Sequence, residues 1–186
     1  MSSKHATYAM LLWALLVSSA TYQVPGQTMV GSYSVALRPG LNLVGLHINN
    51  HESNTVRTLF TTPLPHGSTL HRIASGAFTT NVVQEGVWFL PDERIALGEG
   101  AFITNPTAEV VSASFGGEIR PGTLTNIIPA GLSIKASMAP KSGKVTRDLG
   151  LRLNAFDNLY LLVNGQFEVF TFLPDGTWRP TEPTVG

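Results

Sequence analysis

The chain has 186 residues, of which only 13% are charged, with Lys+Arg and Asp+Glu equal at 12 each, and it contains no cysteine. That balance argues against nucleic acid as a partner, and the missing thiols exclude disulfides, zinc-thiolate sites and thiol redox chemistry. The length suffices for one ordinary domain or two small ones that bury a core without staples.

In chain order, Lys4 precedes an uncharged apolar run from Ala6 to Val17 that ends in Ser18-Ser19-Ala20. This is the pattern of an export signal cleaved after Ala20, because the run is shorter than the roughly twenty residues a membrane helix needs. Residues 1–20 are therefore expected to be removed. The product is an exported protein, extracellular, on the cell surface or in the periplasm, with no remaining membrane span. Residues 21–32 are polar, carry Pro25-Gly26 and read as a flexible leader.

From Tyr33 onward, short β-branched, aromatic and aliphatic runs alternate with polar residues and are punctuated by Gly, Pro, Asn and Asp, as in an all-β domain. The first half predicts strands at 33–37, 41–48, 69–73, 77–83, 87–90, 101–103 and 109–115. One or two helical turns are expected after Ser53-Asn54, with Val56, Leu59 and Phe60 on one face. The second half predicts strands at 132–136, 158–163 and 166–172 and a short one at Trp178, with a still shorter helical counterpart around Val145 to Leu149. Pro39-Gly40, Ser75-Gly76, Asn164-Gly165 and Pro174-Asp175-Gly176 supply the turns. Asn164-Gly165 is the clearest hairpin signal. The strand after it carries apolar residues on both faces, which predicts a central position.

The two halves echo one another. Gly40-Leu41-Asn42-Leu43-Val44 returns loosely as Gly131-Leu132-Ser133-Ile134-Lys135, Gly76-Ala77-Phe78 as Gly165-Gln166-Phe167, and Gly86-Val87-Trp88 as Gly176-Thr177-Trp178. The spacing of about 90 residues predicts a tandem repeat of small β-sandwich or barrel-like modules over 33–122 and 123–186. The second copy is truncated, because nothing after Gly186 matches Glu99 to Pro106. Two explanations stand: the chain is a fragment of a longer product, or the strand at 33–37 fills the vacant place in the sheet. An unfilled edge would invite association with another chain.

The run Pro39-Gly40-Leu41-Asn42-Leu43-Val44-Gly45, the later Gly-x-Trp and Gly98-Glu99-Gly100-Ala101-Phe102-Ile103 resemble a repeat of exported, mostly uncharacterised bacterial surface proteins. That repeat opens on G-W-N-L-I/V, continues with G-x-W and closes on G-E-G-F/Y-W/F-I. The resemblance spans Tyr33 to Gly186; it implies an exported β-rich module and brings no catalytic residues with it. Leu41 and Ala101 depart from the pattern at positions where the family carries aromatics.

Catalytic patterns are sparse. No Gly-x-Ser-x-Gly turn is present, and Gly98-Glu99-Gly100 lacks the following helix of a phosphate site. His47 and His51 have helical spacing but fall on a strand end and a loop, so they would not share a face as metal ligands. Asp92, Glu93, Glu99, Asp157, Asp175 and Glu182 are the carboxylates a glycosidase could use, with no sequence signal pairing them. No catalytic residue, metal or cofactor is assigned.

Two groups remain as possible glycan or surface contacts. Trp88 and Trp178 could stack on sugar rings or wedge the core of each module. Lys135, Lys141, Lys144, Arg147 and Arg152 accompany a single nearby acid, Asp148, and form either a solvated face or a contact for anionic surface polysaccharide or lipid headgroups. The expected function is a structural or adhesive surface module whose partners are surface polysaccharide or neighbouring repeat modules. The rival is a carbohydrate-binding module; a glycoside-active enzyme fragment is the distant third.

Overall fold

The computed structural model describes residues 29–50, 54–74, 76–120, 122 and 124–185. The expected signal at 1–20, most of the leader, His51, Ser53, Ser75 and Gly186 lie outside the described residues. What is described is all-β, with one single-turn helix.

The first half pairs β1 (Met29–Leu37) with β7 (Val111–Ile119) as an antiparallel ribbon. It also forms a five-stranded sheet in the order β2 (Gly40–Gly45), β6 (Gly100–Asn105), β3 (Thr69–Ala74), β4 (Ala77–Gln84) and β5 (Val87–Trp88). β1 starts four residues before the expected strand, within the segment read as a leader. Its alternating burial leaves Leu37 only 1% exposed and stacks Tyr33 on Phe115 at 4.9 Å. It does not fill a place in the second half: all of its pairing is with β7.

Both sheets and α1 (Val56–Leu59) share one core, in which Leu37, Val56, Leu59, Leu70, Ile103 and Ala113 are at most 1% exposed. The helix is capped by Thr55 rather than by the expected Ser53-Asn54. The Thr58 hydroxyl accepts the Thr55 N–H at 3.1 Å, while the Val56 N–H donates to Glu93 at 2.9 Å. The predicted strand at 87–90 stops at Trp88, because the buried Asn81 side chain donates to the Leu90 carbonyl and accepts its N–H, at 2.8 and 2.9 Å. An asparagine amide there replaces a rung of the ladder.

In the second half, β9 (Asn158–Val163), β10 (Gln166–Phe172) and β11 (Trp178–Arg179) form an antiparallel sheet with β10 in the centre, as its two apolar faces predict. The Asn164-Gly165 turn has φ of 51° and 78°, as a tight hairpin requires. β8 (Gly143–Lys144) pairs with β12 (Thr184–Val185). The expected helical counterpart at 145–149 is a hydrogen-bonded turn. A smaller core gathers Val145, Phe170 and Trp178 with Leu159, Leu161 and Phe172 around them.

Main-chain pairings correspond between the halves. In the β3–β4 hairpin Thr69 faces Val82, and in β9–β10 Asn158 faces Thr171, a shift of 89 on both sides (158 − 69 and 171 − 82). The isolated bridge of Thr55 to Arg94 corresponds to the pairing of Lys144 with Thr184, shifted by 89 and 90 (144 − 55 and 184 − 94). Val83 opposite Trp88 corresponds to Phe172 opposite Trp178.

Candidate functional site

The chemistry-bearing residues that the structure brings together lie where the halves meet. Gly98, with φ of 79°, turns the chain into β6, and the main chain of Gly98-Glu99-Gly100 is contacted on both edges. On one edge Leu46 donates to Glu99 and accepts from Gly98, both at 2.9 Å. On the other, Gly100 donates to Ile134 at 3.0 Å and Ala136 donates to Gly98 at 2.9 Å. The predicted strand at 132–136 is thus reduced to a bridge of Lys135 to Glu99, because beyond Gly100 the same edge of β6 is occupied by β3.

Three glycines make this approach possible. A Cβ on Gly45 would lie 2.5 Å from the Ala136 Cβ, one on Gly100 2.7 Å from Ile134, and one on Gly98 2.5 Å from the Asn126 amide. Asn126 clamps the seat by donating to the Gly98 carbonyl at 2.6 Å and to the Ala136 carbonyl at 3.0 Å. His47 completes it. Its Nδ1 is 2.7 Å from the Ser137 carbonyl and must carry the proton there, and burial lowers its pKa below 6.5 against the raising effect of that bond. Tyr33 packs beside it, donates to the Gly45 carbonyl at 2.7 Å and is held neutral, its pKa pushed well up by burial.

Glu99 turns its carboxylate away from this seat. It grips Arg72 at 2.9 and 3.0 Å and accepts the Ala96 N–H at 2.9 Å, while Glu93 is 3.5 Å from the same guanidinium. Arg72 also donates to the Arg94 carbonyl. All three side chains are largely buried, and one Glu93 oxygen is left without a partner. The pair ties the 93–99 loop to β3 and so fixes the seat. A shallow cleft of about 400 Å³ opens beside it, with Asn49, Asn54, Arg94 and Arg120 on its walls.

The other sequence candidates are dispersed. Trp88 packs on Phe60 at 5.2 Å and Trp178 on Phe172 at 5.3 Å; each is 8% exposed, so neither presents a ring face to solvent. Lys135, Lys141 and Arg152 are exposed and Lys144 is half-buried. Arg147 is engaged by Asp148 at 2.9 Å, a hydrogen bond and charge that hold the Asp148 carboxyl below its usual range. Glu182 braces the same turn: it accepts the Thr146 hydroxyl and the N–H groups of Thr146 and Arg147 at 2.9 and 3.0 Å, which lower its pKa. Asp157 accepts the Asn154 N–H, and Asp175 accepts from Thr177. His66 accepts the Glu85 N–H and His71 sits between the Thr69 and Thr80 hydroxyls. Among the described residues no three His, Asp or Glu side chains are grouped as a metal site.

Part of the seat is legible in the sequence: Glu99 lies between glycines where the repeat needs tight backbone approach, while the segment that approaches is not marked. Gly45, Gly98 and Asn126 read as parts of the repeat motifs, with nothing in the sequence to pair them, and Ser137 carries no signal of its own. Comparison of the chain with family models, with curated proteins and with solved structures gives no match.

Proposed function

We propose that the protein is an exported structural or adhesive surface module without catalytic activity, built of two repeated β units of the bacterial surface type that dock end to end. The observation that carries the reading is the glycine seat at Gly45, Gly98 and Gly100, into which the segment 134–136 fits by main-chain pairing, with the Asn126 side chain as a clamp. Main-chain hydrogen bonds of this kind join units without demanding particular side chains, which suits a repeat whose sequence drifts. The corresponding registers of the two hairpins support the same reading. Lys135, Lys141 and Arg152, exposed on one short stretch, are the contacts offered to anionic surface polysaccharide.

The test is to express the full chain with a carboxy-terminal tag in a bacterium, fractionate the cells and sequence the amino terminus. The expected product begins at Thr21, is digested by protease added to intact or osmotically shocked cells, and adheres to anionic polysaccharide in a salt-sensitive way. An uncleaved cytoplasmic product would overturn the export reading. Adhesion unchanged when Lys135, Lys141 and Arg152 are all replaced by Gln would remove the assigned contact.

A further inference from the structure

We infer that the free edge of β9 is an acceptor for an extended strand of the Gly100–Asn105 type, added antiparallel along Asn158, Leu159 and Tyr160; the inference rests on the two-repeat reading. In the first half β3 lies between β4 and β6, with Thr69 opposite Thr104, Leu70 opposite Ile103 and His71 opposite Phe102. A shift of 89 places β3 on β9 (158 − 69) and β4 on β10 (171 − 82). β9, however, has β10 on one side and, among the described residues, no strand on the other.

The hairpin register dictates which groups face that side. Val163 opposite Gln166 closes the turn as a hydrogen-bonded pair, so the N–H and C=O of Asn158, Tyr160 and Leu162 point away from β10. At the corresponding Thr69 and His71 those groups meet Thr104 and Phe102. β9 also carries none of the features that blunt an edge. Its sequence, Asn158-Leu159-Tyr160-Leu161-Leu162-Val163, has no proline, no charge and no bulge.

Burial identifies what the edge lacks. Leu70, beside Ile103, is 1% exposed, whereas its counterpart Leu159 is only half-buried and Tyr160 is 47% exposed. Among the described residues, fifteen hydrophobic residues are buried in the first core against three in the second. A strand with the alternation of β6 would set an Ile103-type side chain beside Leu159 on the core face and a Phe102-type ring beside Tyr160 on the other. The chain's own β6 is held between β2 and β3, so the donor is the free closing strand of another repeat of this kind.

The probe is a synthetic peptide with the sequence of residues 98–106, added to the chain from residue 21 onward, with amide exchange followed by NMR. Saturable binding is expected, with new protection at Asn158, Tyr160 and Leu162. N-methylation of the peptide at its Phe102 or Thr104 position, whose amides face β3 in the native sheet, should weaken binding about tenfold or more. N-methylation at Ala101 or Ile103 should leave it within about twofold, since a single strand's outer edge needs no partner. No binding, equal loss from all four methylations, or protection appearing at β2 or β3 instead would overturn the acceptor edge. The two-repeat reading fails separately in the same spectra if Val145 and Val185, counterparts of Val56 and Ile95, exchange freely while the β9–β10 hairpin stays protected.

Discussion

Replacing Gly45 by Ala isolates the junction from the rest of the fold. The new methyl would lie 2.5 Å from the Ala136 Cβ and 3.2 Å from the His47 ring, whereas carbon atoms pack at about 3.5–4.0 Å. Neither Cβ can rotate away, so segment 134–136 must retreat by about 1 Å. The Ala136 to Gly98 bond, now 2.9 Å, then exceeds hydrogen-bonding range, and the Gly100 to Ile134 bond at 3.0 Å goes with it. Two main-chain bonds at about 1 kcal/mol each and about 1–3 kcal/mol of overpacking, less the roughly 0.5–1 kcal/mol that Gly→Ala recovers from the unfolded chain, leave a local loss of about 2–4.5 kcal/mol. Amide exchange should report it as about thirty- to thousandfold faster exchange at Gly100 and Ala136, with the β3–β4 hairpin unaffected. The double variant Gly45→Ala with Ala136→Gly removes the opposed methyl and should restore protection. Unchanged exchange in the single variant, or no recovery in the double one, would refute the assignment of Gly45 as the seat.

Acidification should loosen the same junction. The folded-state pKa of His47 is depressed, so its contribution is complete above the unfolded value of 6.5 and declines as pH falls below that toward the folded value. Urea midpoints measured between pH 8 and 5 should fall over that window, and His47→Gln should flatten the decline. Asn105→Ala removes a buried amide that donates to Leu37 and Glu109 at 3.0 and 2.8 Å and accepts from Thr107 twice. Equilibrium denaturation should show about 2–4 kcal/mol of destabilisation, because the Leu37 carbonyl is left buried and unpaired. Glu182 has a carboxyl pKa lowered from 4.5, so the 145–150 turn should hold above that value and open as pH drops below it. Exchange at Thr146 and Arg147 checks this: Glu182→Gln should keep the turn closed and reduce its pH dependence to the part set by Asp148, and Glu182→Ala should open it at neutral pH.

The hairpins were legible because their determinants are local. Asn164-Gly165 forms the tight turn its residues predict, and β10 takes the central place expected of a strand with apolar residues on both faces, although Phe167 and Val169 stay exposed while Phe170 is buried. The first residues of β1 were not legible, since Gly31 and Ser32 are poor strand formers that are held only by Gly117 and Gly116 across the ribbon. Asn81 and Asn105 were passed over for a related reason. Asparagine signals a turn when read along the chain, and its role as a buried ladder substitute depends on carbonyls at Leu90 and Leu37 that only the fold supplies.

The glycines around Glu99 signal a close backbone approach, but the segment that approaches them is not legible in the sequence, for a deeper reason. Its contact surface is made of side chains that are missing, at Gly45, Gly98 and Gly100, and of one that is turned the other way, at Glu99. A search for chemistry weighs Glu99 as an acid for catalysis, yet its carboxylate is committed to Arg72, 27 residues earlier, while its main chain faces Leu46 and Lys135. Spending a buried ion pair to hold a loop is costly unless the loop's position matters, because desolvation offsets much of the attraction. The position matters here because the seat holds residues 134 and 136 through main-chain hydrogen bonds, which a displacement of about 1 Å breaks. Arg72→Met with Glu93→Gln and Glu99→Gln, which removes the buried charges together, should therefore leave the core of the first half folded and still release segment 126–137, seen as faster exchange at Ala136 without a matching change at Leu70.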